Sequence, residues 1–212
     1  MIRNDGVSNS VIKRLPRYYR FLGELKEKGV VRISSKDLSN KMGFTASQIR
    51  QDLNCFGGFG QQGYGYNIES LYNEIGKILG VDKTRNAILI GAGNLGKAVA
   101  LHMSFEARGF NIIGIFDKNK ALVGQMLRGL PIRHTDDLFD FCKDNSPTVA
   151  VLCIPSSAAE ELAPQLVELG IKGFWNFSHY DILHDYPDVI VENVHMGDSL
   201  MTLSYHMVQG KN

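Results

Sequence analysis

Gly91-Ala92-Gly93-Asn94-Leu95-Gly96 decides the fold, because it stands between an apolar strand over 87–90 and a helical pattern over 95–107. In that setting G-x-G-x-x-G has a physical reading. Gly91 permits a tight turn, Gly93 lets the backbone approach a pyrophosphate, and Gly96 lets the helix pack closely on the strand. The first N–H groups of the helix then meet phosphate charge. Asp117 stands 21 residues after Gly96, at the end of the next expected strand over 112–117, where a carboxylate binds a ribose 2′-hydroxyl. It would repel a 2′-phosphate and so favours NAD+ and NADH, although Lys118 beside it works the other way. The competing reading is a glycine-rich turn that binds nothing.

Outward from this unit, strand and helix alternate: helix 136–143, strand 149–154, helix 158–169, strand 173–177 and strand 189–191. Such alternation implies an α/β fold with a doubly wound parallel sheet of the Rossmann kind, and an extra short strand fits between 123 and 134. Ligands of such sheets lie beyond the C-terminal ends of the strands. His102, Ser156, Ser157, Asn176, Ser178 and His179 are therefore candidates for the crevice, with Ile154, Pro155 and Phe177 beside them. Ser157 with Glu160 also reads as a capping box. His102 and His195 have no carboxylate partner evident in sequence, and neither is assigned a catalytic role. The closing pattern over 198–208 is a helix apolar over much of its circumference, more than a terminal surface helix needs.

The other direction leads to a different kind of domain. Residues 11–28 read as an amphipathic helix carrying Ile12, Leu15, Tyr19 and Leu22, which either begins at Pro16 or runs through it with a kink. Ser34 or Ser35 caps a short helix with Leu38 and Met42, ended by Gly43. Thr45 caps the next, with Gln48 as capping-box partner and Ile49, Leu53 and Phe56 as its buried stripe. The pair is a helix-turn-helix candidate. Five glycines among aromatics and amides over 57–66 fit a β-hairpin wing, and Asn67 caps a further helix ending near Gly80. The expected domains are 1–80 and 81–212.

The charge distribution separates these halves. Residues 1–80 hold 12 Lys and Arg against 7 Asp and Glu, a net of +5, and residues 81–212 hold 11 against 15, a net of −4. A polyanion therefore suits only the first half. Ser47, Gln48, Arg50, Gln51 and Asn54 lie off the apolar stripe of the second short helix, and such side chains bond base edges or phosphates. Docking of a protein on the helix pair is the alternative.

At 212 residues, 44% apolar and 21% charged, the chain is an ordinary globular one. The longest apolar runs fall far short of the ~18 residues of a membrane span. With no hydrophobic leader at the start, the expected location is the cytosol. Cys55, Cys142 and Cys153 lack the spacing of a disulfide framework or a zinc site, and no metal is expected. Nearly all the residues after the basic half are consumed by the nucleotide fold, which leaves no substrate domain for a dehydrogenase. A cofactor bound without a reaction is a ligand to be sensed. An NAD-dependent oxidoreductase with a helical oligomerisation domain is the runner-up, and a nucleotide-binding scaffold that docks protein is a third possibility.

These stretches together resemble the Rex family of redox-sensing transcriptional repressors over nearly the whole length. The resemblance rests on residues 12–25, Gln48-Ile49-Arg50-Gln51-Asp52-Leu53, Gly63-Tyr64-Gly65-Tyr66, residues 91–96, Gly170-Ile171-Lys172-Gly173 before Asn176-Phe177, and Glu192-Asn193-Val194. It implies a homodimer whose N-terminal winged helices bind an inverted-repeat operator of double-stranded DNA and whose Rossmann domains bind NADH or NAD+. The last helix would be swapped between subunits. NADH would release DNA, with NAD+ competing. Expected DNA contacts are Arg14, Ser47, Gln48, Arg50, Gln51, Asn54, Gln62 and Tyr64. The resemblance also links Arg20, His102 and His195 to the switch, with both histidines among the cofactor contacts. Gln51, Gln61 and Gln62 stand where the family often has Lys or Arg, His102 where Tyr is common, and His195 where Asp is common. An apolar pocket around Phe177 and Met196, with His102 and His195 nearby, would favour the neutral reduced ring, and discrimination would then change between about pH 6 and 7.5.

Overall fold

The computed structural model describes residues 7–57, 59–61 and 64–210, which form two compact units, Met1–Asp82 and Lys83–Asn212. The first holds helix α1 (Asn9–Glu27), strand β1 (Arg32–Ile33), helices α2 (Ser35–Met42) and α3 (Ala46–Asn54), strands β2 (Gly60–Gln61) and β3 (Gly65–Asn67), and helix α4 (Ile68–Leu79). β3 lies between β1 and β2, antiparallel to both, so the helix pair is followed by a wing.

α1 runs through Pro16, whose ring lies on the exposed side, where water can replace the missing backbone bond. Leu15, Tyr18 and Leu22 on its other face close over Leu38, Ile49, Leu53, Leu71 and Ile75. The caps follow from local chemistry. The Ser34 hydroxyl accepts from the Asp37 N–H, Gly43 is left-handed at the end of α2, Thr45 accepts from the Gln48 N–H, and Asn67 accepts from the Ser70 N–H.

The second unit is a sheet of seven strands: β4 (Arg85–Ile90), β5 (Phe110–Asp117), β6 (Met126–Leu127), β7 (Leu130–His134), β8 (Val149–Leu152), β9 (Gly173–Asn176) and β10 (Ile190–Asn193). Their order is β10-β9-β8-β4-β5-β7-β6, parallel throughout except for the β6–β7 hairpin. The helices are α5 (Asn94–His102), α6 (Leu138–Asn145), α7 (Ser156–Glu168), the single turn α8 (Ile182–Asp185) and α9 (Met196–Val208). Along β4, Ala87 and Leu89 join one core layer and Ile88 and Ile90 the other, so both faces of the central strand are covered.

Several expected boundaries are corrected. The helix expected over 95–107 stops at His102, because Met103 turns extended and Phe105 dives into the core edge-on to Trp175, ahead of a 3₁₀ turn at Glu106–Arg108. The stretch expected to hold an extra strand holds two. Ser157 forms no capping box: Pro155 is the N-cap of α7 and Ser157 lies inside its first turn. α9 has no buried residue, and Leu200, Met201, Tyr205, Met207 and Val208 are all exposed.

Candidate functional site

The parallel strands β4, β5 and β8 end on one side of the sheet, and there they leave a crevice of about 290 Å³. It is lined among others by Gly91, Gly93, Asp117, Lys118, Ile154 and Pro155. The three glycines of the loop have different reasons to be glycine. A Cβ on Gly91, whose φ is +98°, would stand 2.4 Å from the Cys153 carbonyl oxygen, and one on Gly96 would stand 1.7 Å from the Gly91 carbonyl oxygen. Gly91 is required by the close approach of the chain that follows β8, and Gly96 by the packing of α5 against the Gly91 turn. A Cβ on Gly93 would meet nothing within 4 Å, so the protein itself makes no demand there. The loop is thus open where a diphosphate would lie against the start of α5, which opens with Asn94 and Leu95.

Asp117 faces the same loop. One carboxylate oxygen accepts the Ala92 N–H at 2.6 Å and the other accepts the Asn119 N–H at 2.7 Å. This holds the acid at the lip of the crevice, against the glycine turn. The residues present fit a dinucleotide. Ile90 at the end of β4 also lines the crevice, and Thr135, Cys153, Ala158, Glu161 and Leu162 do so without having been assigned to it from sequence. The spacing of Ala158, Glu161 and Leu162, three and four residues apart on one helix face, is the signal that points to them. Burial pushes the Cys153 thiol up to about 12, which favours its neutral form in the wall.

Eight expected cofactor residues lie outside this crevice lining: Ala92, Asn94, Leu95 and Gly96 belong to the glycine loop and the start of α5, and the other four are His102, Asn176, Phe177 and His195. Asn176 is buried, donating to the Tyr180 carbonyl and to Asn193 Oδ1 and accepting from the Ser178 N–H and hydroxyl, so its amide is spent on the turn after β9 and on one bond to β10. Phe177 packs on Trp175. His102 is exposed at the end of α5. His195, expected to stand alone, faces a second imidazole: its Nδ1 is 2.7 Å from the Nδ1 of His179, with the rings stacked at 4.8 Å. Across this contact one Nδ1 donates and the other accepts. Met196 is 58% exposed, so the expected apolar pocket between it and Phe177 is not enclosed within one chain.

In the first unit, α3 presents Ser47, Arg50, Gln51 and Asn54 to solvent. Arg50 Nη1 donates to the Ser35 hydroxyl at 3.0 Å, which ties α3 to the start of α2. Tyr64 is exposed beside the wing, Arg20 is exposed on α1, and Gln62 lies outside the described residues. Gln48 does not reach back to close a capping box. Its Nε2 donates instead to Asp52 Oδ1 at 2.8 Å.

Asp52 is the residue that the sequence reading passed over. It is fully buried, and Arg14 donates to it through Nε at 2.7 Å and Nη2 at 2.8 Å, while the Tyr18 hydroxyl donates at 2.8 Å. Arg14, expected on DNA, spends two of its nitrogens inside the domain. Burial pushes the Asp52 carboxyl up, but the bonds from Arg14, Gln48 and Tyr18 outweigh it and hold it below its ordinary range. The available signal was an acid at the i+3 position of the stripe Ile49, Leu53, Phe56.

Among the described residues, no helix is long and apolar enough to cross a membrane, and no three His, Cys, Asp or Glu side chains are grouped to hold a metal ion.

Residues 6–54 match the family described as "Putative DNA-binding protein N-terminus", and residues 82–180 match the "CoA binding domain" family. The redox-sensing transcriptional repressor Rex of Clostridioides difficile (strain 630) is 53% identical over the full length of both chains. That of Thermoanaerobacter sp. (strain X514) is 57% identical over 98% of this chain and 92% of its own. The crystal structure of RSP in complex with β-NAD+ and operator DNA superimposes with a TM-score of 0.88 at 55% identity, covering 97% of this chain and 94% of the other. RSP in complex with β-NADH gives 0.87 at 52%, covering 97% and 96%. With a glycine loop open for a diphosphate, a helix pair armed with polar side chains and full-length identity above one half, the chain belongs to the Rex family of redox-sensing transcriptional repressors.

Proposed function

We infer that the protein binds operator DNA as a homodimer and leaves it when NADH occupies the second unit, NAD+ competing for the same crevice. The observation that carries this is the union in one chain of an exposed polar helix, α3, and a crevice whose residues fit a dinucleotide. The RSP structures, which hold β-NAD+ with operator DNA and β-NADH, support both ligands. We place the pyrophosphate over residues 91–96, a ribose on Asp117 with Lys118 beside it, and Ile154 and Pro155 along one wall. Ser47, Gln48, Arg50, Gln51, Asn54 and Tyr64 face DNA, and Arg20, His102 and His195 serve the switch. The bare face of α9 is covered by the partner subunit. The protein is a sensor and not an enzyme, and it works in the cytoplasm.

Coupling is a differential affinity: NADH binds the DNA-incompetent dimer more tightly than the competent one, and DNA then weakens NADH reciprocally. Arg50→Ala separates the readings. It is expected to cost about 1–3 kcal/mol in operator binding by anisotropy while NADH affinity stays at the wild-type value. Equal operator binding by the variant would remove α3 from the interface and favour the oxidoreductase reading.

A further inference from the structure

We propose that Gln48 reads an adenine in the major groove and that Asp52 is the positioning residue that sets its amide for this. The inference rests on the operator-binding reading of α3 and names what that helix recognises. Gln48 sits in the first turn of α3, the part of a recognition helix that approaches base edges. An ionised carboxylate only accepts hydrogen bonds, so the atom that Gln48 turns toward Asp52 is the amide nitrogen. That leaves the oxygen Oε1 and the second hydrogen of Nε2, and among the described residues neither takes a partner. Gln48 is half-buried, so part of the residue remains open to solvent.

One acceptor beside one donor matches adenine, whose major-groove edge offers the N6 hydrogen and the N7 lone pair. Guanine presents two acceptors, N7 and O6, and would set O6 against Oε1. Cytosine and thymine offer a single partner each. Gln51 and Asn54 carry the same amide group, yet among the described residues their side chains make no hydrogen bond and either face can turn outward. Gln48 alone is held, and the hold reaches back into α1. Arg14 and Tyr18 fix Asp52 from that helix, so the orientation of the reading amide is built into the packing of α1 on α3. Ordering it beforehand spares the entropy of freezing a free glutamine on binding.

The test uses the full-length dimer. Duplexes selected from a random pool by the wild type define its half-site, and single-base variants of that half-site are then measured by anisotropy at one stated salt concentration. Gln48→Ala is expected to lose preference at one symmetry-related adenine by on the order of 10- to 100-fold and to keep the other positions. Replacing that adenine by 7-deazaadenine, which lacks N7, is expected to weaken the wild type and leave Gln48→Ala unaffected. Asp52→Asn is expected to relax the same position with NADH affinity unchanged. Should it fail to fold, Tyr18→Phe, which loosens Asp52 without removing its charge, takes its place with the same expected direction. Full retention of every base preference by Gln48→Ala, or indifference to 7-deazaadenine at every adenine, overturns the assignment to Gln48. Unchanged preference in the Asp52→Asn or Tyr18→Phe variant overturns the role of Asp52. A wild type that selects no sequence at all overturns the operator reading itself.

Discussion

At the scale of single residues, glycines of one loop separate folding from binding. Gly96→Ala drives a methyl group into the Gly91 carbonyl and is expected to cost more than about 4 kcal/mol or to abolish folding. Gly93→Ala has open space and an ordinary φ of −69°, so stability should stay within about 1 kcal/mol of wild type, while NADH affinity falls because the methyl occupies the diphosphate's place. A thermal melt beside a NADH titration checks both, and undiminished NADH affinity in Gly93→Ala would take the loop out of the site. Asp52 supplies a second test. Its folded-state value is lowered, so the stabilisation is complete above the unfolded carboxylate value of about 3.9 and is lost as pH falls through the lower folded value. The melting-temperature advantage of wild type over Asp52→Asn should therefore be full near neutrality and shrink below about pH 4. Removing the partner instead, by Arg14→Ala, leaves a buried carboxylate short of its cation and should cost about 3–5 kcal/mol in denaturant unfolding. Asp117, Gly91 and Gly93 could be read from sequence because their meaning is local. The place of Asp52 and the pairing of His179 with His195 could not, since Arg14 lies 38 residues from Asp52 and His195 lies 16 residues from His179.

At the scale of elements, α9 is the one whose chemistry outruns its packing in a single chain. Leu200 is 68% exposed and Met207 74%, on a helix with no buried face. An apolar surface of that extent is stable in water only when covered. Leu200→Glu together with Met207→Glu is expected to shift the protein from dimer to monomer in sedimentation velocity, with operator affinity lost because two half-sites can no longer be bridged. A dimer that survives the double change would place the interface elsewhere. The order of strands and helices followed from periodicity, but their ends did not. α5 stops at His102 because Phe105 is needed in the core against Trp175, and no local signal in 103–107 announces that distant partner. Ser157 looked like a cap because its spacing to Glu160 suits one, yet the preceding Pro155 already holds the capping position.

At the scale of the whole molecule, the claim is a coupling between two ligands that bind different units of one chain. Such a coupling is reciprocal: whatever factor NADH takes from operator affinity, operator DNA must take from NADH affinity. Factors of about 5- to 150-fold are usual, so both sides of the cycle are measurable. The basic first half and the acidic second half made the division of labour legible at the level of net charge. How the nicotinamide state reaches the recognition helices was not legible, because His102 is exposed at the end of α5 and the contact of His195 with His179 follows no local spacing rule.

The most direct test is fluorescence anisotropy of the wild-type dimer on an inverted-repeat duplex with half-sites about one DNA turn apart, at fixed salt, titrated with NADH and separately with NAD+. The account predicts that NADH releases the duplex at far lower concentration than NAD+ and that added NAD+ shifts the NADH curve to higher concentration. Equal release by the two nucleotides, or tight NADH binding that leaves the duplex in place, would contradict it.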